Sequence, residues 1–514
     1  MCRTRNHLIK EYIGKISKKF KVAEVIFDGW KTKLLEKIQL NLSKISTNAD
    51  SNKKFVDTKL AYEKLEKLQE NFVFIPTDKS SNNISIVCKK FYLMNIKNEL
   101  DSSFTLVKAS PEEIIENQKQ FLKDSKIMLD TECDKLSNFY ASCKQHKTPP
   151  KFRYITSTSK AVTKPLTRVL KGVFKTIQKE VIRECNIKDY QRKDNVKTCW
   201  IIDNNTNVRK EIFKCNRGVQ KARSISSFDF DTLYTSIPHD KLKYVISQVV
   251  KNSFISSGKK FIRVTKSYKG NFSDSDRKYK GTYILSEDKI IELFNYMVDN
   301  CFILFKGKVY RQTIGIPMGI DPAPFIANLF LHYYESSYMN SLVSSGKLNV
   351  ARKLSRNFRY LDDLLGLNDI GCFEQVHSTI YPRELVLSCT DNVGIQANYL
   401  DLNISIENKY FRSKLYDKRN DFKFDVINFP CIKYSNIPSK PAFGIYLSQL
   451  IRVCRICTNA YDFEIAMQKI TLEFVNKSFY KANLFKIYMR FIENYEKEWC
   501  KFGVLPEVPA CLTQ

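Results

Sequence analysis

Apolar and polar positions change period several times along the chain. Between residues 1 and 70, Leu34, Leu35, Ile38, Leu42 and Ile45 recur at helical spacing among lysines, which predicts a helical N-terminal stretch. From residue 71 the pattern shortens. Phe72-Val73-Phe74-Ile75-Pro76 and Ile84-Ser85-Ile86-Val87 predict two strands around a polar turn at Asp78 to Asn83. Residues 111–147 predict a helical segment, stopped by Pro149-Pro150. Lys151 to Thr156 reads as a strand, and the next helix carries Val162, Leu166, Leu170, Val173 and Phe174 on one face. Ile225 to Asp231 predicts a strand, and Pro238-His239-Asp240 opens a helix. Residues 252–285 are polar and basic, with Gly258, Gly270 and Gly281, and predict an inserted loop or hairpin. A helix is expected over 287–304. A glycine-rich loop follows at Gly315 to Gly319, then an apolar helix from Pro324 to about Ser337. Phe358 to Leu367 predicts a hairpin around Asp362-Asp363, Tyr399–Ile406 and Tyr410–Tyr416 two strands, and 443–500 a helical region. No internal repeat is visible.

Composition narrows the class. The 514 residues give a soft prior of about three domains. With 43% hydrophobic residues the chain can bury a sizeable core, and its 16 Gly and 15 Pro, about half the usual usage, exclude a collagen-like or linker-like chain. Apolar runs such as Phe72–Ile75 and Cys301–Phe305 are far shorter than the roughly 18 residues of a membrane span. The first residues lack an apolar signal core, and 15 scattered cysteines read as reduced intracellular thiols. The net charge of +30 is spread over the whole chain. Solubility alone could account for it, but basic residues mix with aromatics at Lys266-Ser267-Tyr268-Lys269, Arg277-Lys278-Tyr279-Lys280 and Lys477 to Lys481. That mixture suits a nucleic-acid surface, where phosphates are tracked and bases are stacked.

Three segments carry candidate chemistry. Phe358-Arg359-Tyr360-Leu361-Asp362-Asp363-Leu364-Leu365-Gly366-Leu367 sets two adjacent carboxylates in an apolar run. Buried carboxylates are costly unless paired or bound to metal, although an Asp-Asp pair taken alone also suits an exposed turn. Ser227-Phe228-Asp229-Phe230-Asp231-Thr232-Leu233-Tyr234 ends an apolar strand with Asp229, which suits a hard cation such as Mg²⁺ or, equally, a helix cap. Gln312-Thr313-Ile314-Gly315-Ile316-Pro317-Met318-Gly319 is a loop whose glycines permit close backbone approach to a ligand, or a plain strand–turn–helix joint.

In this order the three segments resemble motifs A, B and C of reverse transcriptases. The shared features are an Asp followed five residues later by Tyr, a Gln-x-x-Gly-x-Pro-x-Gly loop and a Tyr-x-Asp-Asp box. Leu233-Tyr234-Thr235-Ser236-Ile237-Pro238-His239 is similar to the Leu-Tyr-Thr-Asn-Ile-Pro-His of Penelope-like retroelements. Phe302 to Gln312 resembles their approach to motif B. Pro76-Thr77-Asp78-Lys79 resembles their Pro-x-Asp-Lys-Gly, and Lys144-Gln145-His146-Lys147 with Arg153-Tyr154-Ile155-Thr156-Ser157 their Lys-x-His-Lys and Arg-Pro-Ile-Val-Ser. Ser435 to Pro438 with Tyr446 to Arg452 resembles the start of their thumb. The likeness runs from about residue 70 to 500.

The resemblance implies an α+β right-hand polymerase with a helical N-terminal extension at 1–70, fingers at 71–222, a palm at 223–420 containing the inserted loop 252–285, and a thumb at 421–514. It implies an RNA-directed DNA polymerase that adds dNTPs to a primer 3′-hydroxyl. Asp229, Asp362 and Asp363 would be the catalytic carboxylates and hold two Mg²⁺ ions, or Mn²⁺ in their place. Phe230 would lend its carbonyl to one metal shell. Tyr234 would exclude a ribose 2′-hydroxyl. Arg153 and Lys79 would meet the triphosphate, and Gln312, Gly315 and Pro317 would line the nucleotide pocket. Tyr360, Lys144 and Lys147 would face primer and template. The implied partners are an RNA template, a DNA primer or RNA/DNA hybrid, and dNTPs, with no membrane and no structural zinc. A nuclear site after cytoplasmic synthesis follows from the need to reach chromosomal DNA. Rival readings are a non-catalytic RNA-binding remnant and an RNA polymerase that uses NTPs.

The chain also departs from the pattern. Ser80 replaces the glycine of Asp-Lys-Gly, Tyr154 the proline of Arg-Pro-Ile, and Ile320-Asp321-Pro322-Ala323-Pro324 the usual Ser-Pro-Leu-Ser-Pro, placing an extra acid near the template. No lysine lies between Lys353 and Lys409 to act as general acid, leaving Arg383, His377 or water. Gly444-Ile445-Tyr446 and Tyr12-Ile13-Gly14 lack the partners of a Gly-Ile-Tyr endonuclease, and little chain remains for one. Cys454-Arg455-Ile456-Cys457 has no second cysteine pair nearby and reads as a helix core face.

Overall fold

The computed structural model describes residues 29, 32, 33, 36, 37, 40 and 58–513, apart from 219, 220, 278, 318, 391–393, 427, 428, 430 and 433–437. The helical positions expected at Leu34, Leu35, Ile38, Leu42 and Ile45 lie outside the described residues, as do Tyr12–Gly14 and Ser435–Ile437. The chain divides into two compact units, Met1–Glu70 and Asn71–Gln514. In the first, a helix begins at Thr58 and runs to Asn71.

The second unit is built on two larger sheets. One has seven strands: β1 (Phe72–Thr77), β2 (Ser80–Cys88), β3 (Phe104–Val107), β4 (Ser137–Lys144), β5 (Lys151–Ser157), β10 (Phe302–Phe305) and β11 (Lys308–Gln312). Its order is β2-β1-β4-β10-β11-β3, with β5 also pairing β4. The other has the order β12-β13-β6-β14 and comprises β6 (Ile225–Asp231), β12 (Asn357–Tyr360), β13 (Asp363–Leu367) and β14 (Val386–Cys389).

This four-stranded sheet is covered on both faces, because successive side chains of a strand point to opposite sides. Leu364 enters one core with Phe228 and Phe230, beneath the helices Lys164–Arg192, His239–Ser257, Glu287–Asp299 and Ala323–Ser344. Leu365 and Leu367 enter another with Phe358 and Ile225, among the helices Ser439–Ile456, Ala460–Asn476 and Lys481–Asn494. Two-sided burial explains why β13 is nearly all apolar after its first residue. The second core also holds Tyr399, Leu402, Ile404 and Phe411. These belong to a sheet of β15 (Gln396–Tyr399), β16 (Leu402–Glu407) and β17 (Tyr410–Leu415).

Most expected elements are present, with five corrections. The helix over 111–147 ends at Asp124, and Ser137–Lys144 is strand β4, whose Ser137, Phe139, Ala141 and Cys143 are buried at period two. The helix over 287–304 ends at Asp299; the run from Phe302 is β10, which pairs with β11. The turn at 78–83 is confined to Asp78-Lys79, with Lys79 at φ 61°, and β2 begins at Ser80. The strand over 399–406 breaks at Leu400, whose φ is 56°, so Tyr399 ends β15 and Leu402 starts β16. In the expected loop at 252–285, the helix from His239 continues to Ser257 and is followed by a small antiparallel sheet. Its strands are β7 (Phe261–Val264), β8 (Gly270–Ser273) and β9 (Tyr283–Leu285), in the order β8-β7-β9. Gly270 and Gly172 let this sheet lie against the helix Lys164–Arg192, since a Cβ on Gly270 would sit 2.6 Å from the Gly172 carbonyl oxygen. Among the described residues, no helix is long and apolar enough to cross a membrane.

Candidate active site

Strand pairing brings the acids together. β13 lies between β12 and β6, with Asp363 opposite Tyr360 on one side and opposite Asp229 on the other. Leu361 and Asp362 form the two-residue turn between β12 and β13, and Leu361 adopts φ 56° to close it. The Phe230 N–H donates to the Asp362 carbonyl at 3.2 Å, fixing the turn against the end of β6. The adjacent Asp362 and Asp363 and the distant Asp229 thus stand at one end of one sheet. Asp231 is directed elsewhere and accepts from the Ser388 hydroxyl at 2.5 Å.

Their electrostatics follow from this crowding. Burial, then the neighbouring Asp362 and Asp229, pushes the Asp363 carboxyl up to about 6. Burial, then Asp362 and Asp231, raises that of Asp229. No Lys or Arg among the described residues lies within ion-pair distance of Asp229, Asp362 or Asp363. Nor, among those residues, are any three His, Cys, Asp or Glu side chains already drawn into a metal cage. Hard oxygen donors that repel one another are nonetheless the donor set that suits Mg²⁺, which is held by one or two carboxylates together with substrate phosphates. The residues therefore fit a divalent cation whose shell the substrate completes.

A stability prediction follows. Because the folded chain holds a proton on Asp363 up to about pH 6 and an ordinary Asp only to 3.8, this group's contribution falls as pH rises through that interval. Asp363→Asn should therefore raise the thermal midpoint at pH 7 in EDTA, with little change at pH 3.5. A midpoint that is unchanged or lower at pH 7 would contradict the geometry.

A basic wall faces the acids. Lys79, in the turn after β1, is held below the ordinary lysine range by partial burial and then by Lys418, while Asp363 and Asp78 act in the opposite sense. Lys144, the last residue of β4, is lowered by burial and then by Arg153, and feels Asp229. Lys147 acts on Asp229 from the next turn. Arg153, on β5, holds the buried Asp78 at 3.3 Å. The second Asp78 carboxylate oxygen is buried without a hydrogen-bond partner, so the pair fixes Arg153 and leaves the rest of its guanidinium fork half-exposed. Lys418 belongs to this wall too, and no local pattern marked it.

Tyr234 sits half-buried beneath the turn, its hydroxyl pKa raised by burial and then by Asp362. The glycine-rich loop packs onto the same segment. Gly315, at φ 86°, donates to the Ile237 carbonyl at 2.8 Å and Ile316 to the Tyr234 carbonyl at 2.5 Å. His239 Nε2 lies 2.9 Å from the Gly315 carbonyl. A Cβ at Gly315 would meet the Tyr234 carbonyl oxygen at 2.4 Å. At Gly319, φ 116°, a Cβ would meet that of Thr156 at 2.1 Å. The close approach these glycines allow is thus to their own chain. Gln312 is 3% exposed and donates to the Ile314 carbonyl at 2.8 Å, and Pro317 is buried, so both shape the loop from within. The Phe230 ring is buried in the first core, and Tyr360 is half-buried against the second.

Several departures find local partners. Asp321 is bound by Lys164 at 2.7 Å and by the Thr167 hydroxyl at 3.0 Å, so the extra acid is neutralised inside the fold. Tyr154 stacks on Phe139 at 6.0 Å and donates to the Asn95 carbonyl. Ser80 donates to Asn83 at 2.7 Å. His377 packs against the rings of Phe373 and Phe228, and Arg383 lies 3.8 Å from Glu384. Cys454 and Cys457 are buried in the second core, and desolvation pushes each thiol up to about 12.

One buried group was not singled out by the sequence. Arg359, on β12, is fully buried and bound to the equally buried Glu335 through Nε at 2.5 Å and Nη2 at 3.1 Å. It also donates to the Asn328 side chain at 2.8 Å and to the Leu361 carbonyl in the turn between β12 and β13 at 3.2 Å. The Tyr381 hydroxyl completes the set, donating to Glu335 at 2.8 Å.

No protein-family model and no curated protein matches the sequence. Among solved structures, the chain is similar to a telomerase from Candida albicans, solved with a fragment of telomeric RNA. The TM-score is 0.55 at 12% identity, over 86% of this chain and 70% of that one. The chain has the right-hand polymerase fold. Weaker likenesses are to a telomerase from Candida tropicalis (TM-score 0.46, 12% identity, 85% and 71% covered) and to the RNA-dependent RNA polymerase of a human picorbirnavirus (0.40, 11%, 93% and 86%). In this fold the four-stranded sheet is the palm, and its three acids stand at the end of the two central strands.

Proposed function

We propose that the chain is an RNA-directed DNA polymerase of a Penelope-like retroelement, extending a primer 3′-hydroxyl on an RNA template with dNTPs. The observation that carries this reading is the opposition of Asp229 and Asp363 on adjacent strands with Asp362 at the turn between them. It is supported by the fold likeness and by the order of the three motifs along the chain.

When bound, two Mg²⁺ ions on Asp229, Asp362 and Asp363 would acidify the primer hydroxyl and neutralise the charge of the leaving pyrophosphate. The chain's own groups do the rest, mostly by positioning. Arg153 and Lys79 face the acids and bind triphosphate oxygens, while Lys144 meets primer and template. A guanidinium already oriented by Asp78 loses little freedom on binding. Lys147 and Lys418 add positive charge at the edges, where a template–primer backbone passes. Tyr234 fills the space below the nucleotide and excludes a 2′-hydroxyl. The partners are thus an RNA template, a DNA primer and dNTPs, and the place of action is the nucleus.

Primer extension with dNTPs and with NTPs, on RNA and on DNA templates, tests the reading. Efficient dNTP use on RNA is expected. Equal use of both nucleotides would favour an RNA polymerase, and no extension with Mg²⁺ or Mn²⁺ would favour a non-catalytic RNA-binding protein. Tyr234→Ala should raise the NTP:dNTP incorporation ratio by roughly one to two orders of magnitude, as expected when a clash of about 1–3 kcal/mol is removed. An unchanged ratio removes Tyr234 from this role.

A further inference from the structure

The end of β13 remote from the acids opens into a second strongly basic feature. A cleft of about 790 Å³ is lined by Lys221, Arg223, Arg352, Lys353, Arg356 and Lys409, together with Ala222, Asn368 and Ile370. Among the described residues, no acidic and no aromatic one lines it. We propose that this cleft binds the phosphate backbone of an RNA strand, at a site separate from the polymerase centre.

Its walls are fixed in place. Asn368, 5% exposed, accepts from the Arg223 N–H at 2.7 Å and donates to the Lys221 carbonyl at 3.3 Å. The Ala222 N–H donates to the Lys409 carbonyl at 2.9 Å. With the Leu367 N–H donating to the Arg356 carbonyl at 3.2 Å, these bonds tie three distant segments to the end of β13, so their cations converge as a property of the fold. Arg352 is steadied by the Asp194 carbonyl at 3.1 Å. Of the nearby acids, one is buried behind the cleft and another pairs with one of its cations. Asp369 is fully buried and accepts from Ser226 and Ser224 at 3.0 and 3.4 Å. Glu211 lies 3.6 Å from Arg356 and 4.0 Å from Lys197.

Like charges held this close repel one another, and a polyanion relieves that cost by releasing its own counterions. The lining decides which polyanion. Cations without an aromatic platform suit contact with phosphates alone, with no reading of bases. Five residues of strand separate Asp363 from Asn368, about 17 Å at the usual rise. A strand at about 3.4 Å per nucleotide covers that straight distance in about five nucleotides, so a single transcript can reach both sites.

The test compares the full chain with Lys221→Gln/Arg223→Gln/Lys353→Gln, using a labelled single-stranded RNA of about 40 nucleotides titrated across salt concentrations. The slope of log K against log salt should become shallower by about 2, from three contacts at roughly 0.7 each, and affinity at 0.1 M salt should fall at least tenfold. Extension of a short primer–template that fills only the polymerase cleft should be unchanged. An unaltered slope at an unaltered thermal midpoint overturns the site. If the triple variant melts early, single Lys221→Gln and Lys353→Gln variants replace it, each expected to change the slope by about 0.7 and each overturning the site if it does not. Loss of binding to anionic phospholipid vesicles with no change in the RNA slope would assign the cleft to a membrane surface and likewise overturn the proposal. Because the readout is binding, it stands or falls independently of whether the chain polymerises.

Discussion

Asp362→Asn should abolish primer extension while leaving template–primer affinity within about twofold. Asp362 occupies the turn between β12 and β13, and its charge raises the carboxyl pKa of both Asp229 and Asp363. The substitution preserves shape and the carbonyl that meets the Phe230 N–H, so the hairpin should persist. What it removes is one of the three charges that would hold the divalent cations. A metal clamp supplies several kcal/mol of transition-state stabilisation, and about 1.4 kcal/mol is tenfold in rate, so a loss of roughly a thousandfold or more is expected. Single-turnover extension at saturating dNTP reads it directly. Residual extension within tenfold of the unmodified chain would show that the hairpin acids are not the catalytic group. Binding should survive because the cationic wall of Lys79, Lys144, Lys147 and Arg153 is untouched.

Arg359→Leu should produce the largest stability loss of any single change near the site, about 3–5 kcal/mol, the usual cost of leaving one partner of a buried ion pair uncompensated. Arg359 and Glu335 are both fully buried, and the guanidinium also holds Asn328 and the Leu361 carbonyl. Without it, a carboxylate remains in the core with, among the described residues, the Tyr381 hydroxyl as its hydrogen-bond donor. Arg359→Leu/Glu335→Met should recover much of the loss, since replacing both charges with apolar groups of similar volume is often nearly neutral. Urea denaturation of the two singles and the double gives the cycle. If either single variant costs less than about 1 kcal/mol, the pair is not buried as described. Extension should stay impaired even in the double variant, because the Leu361 carbonyl has lost its donor and the turn bearing Asp362 is held less firmly.

Some of this could be read from the chain in order, and some could not. The hairpin at Phe358–Leu367 was legible because its apolar run is short, interrupted once, and bounded by residues that do not continue a helix. The palm strand at Ile225–Asp231 was legible for similar reasons. Strand β4 was not, since Ser137, Asn138, Ser142 and Lys144 dilute its apolar content. The buried alternation of Phe139, Ala141 and Cys143 was nonetheless present. β10 was hidden by its apolar continuity with the preceding helix, although Asn300-Cys301 marks the break. Tertiary partners were invisible in principle: Lys418 against Lys79, Arg359 against Glu335, and Lys164 against Asp321 come from segments that meet only in the fold. The roles expected of Gln312 and the glycines came from a pattern of residue types. The geometry shows that these residues first serve the loop's own packing against Tyr234 and Thr156.

The two-sided burial of β13 bears on how this chain can change over evolutionary time. Leu364 faces one core and Leu365 and Leu367 the other, so gaining or losing one residue between Tyr360 and Leu367 would exchange the occupants of two cores at once and turn Asp363 to the opposite side. No compensating substitution elsewhere repairs both errors. The segment can therefore drift in residue identity but not in length. The small sheet at residues 261–285 lies under no such constraint along its turns, and length variation among descendants of this chain should collect there and be missing from the hairpin.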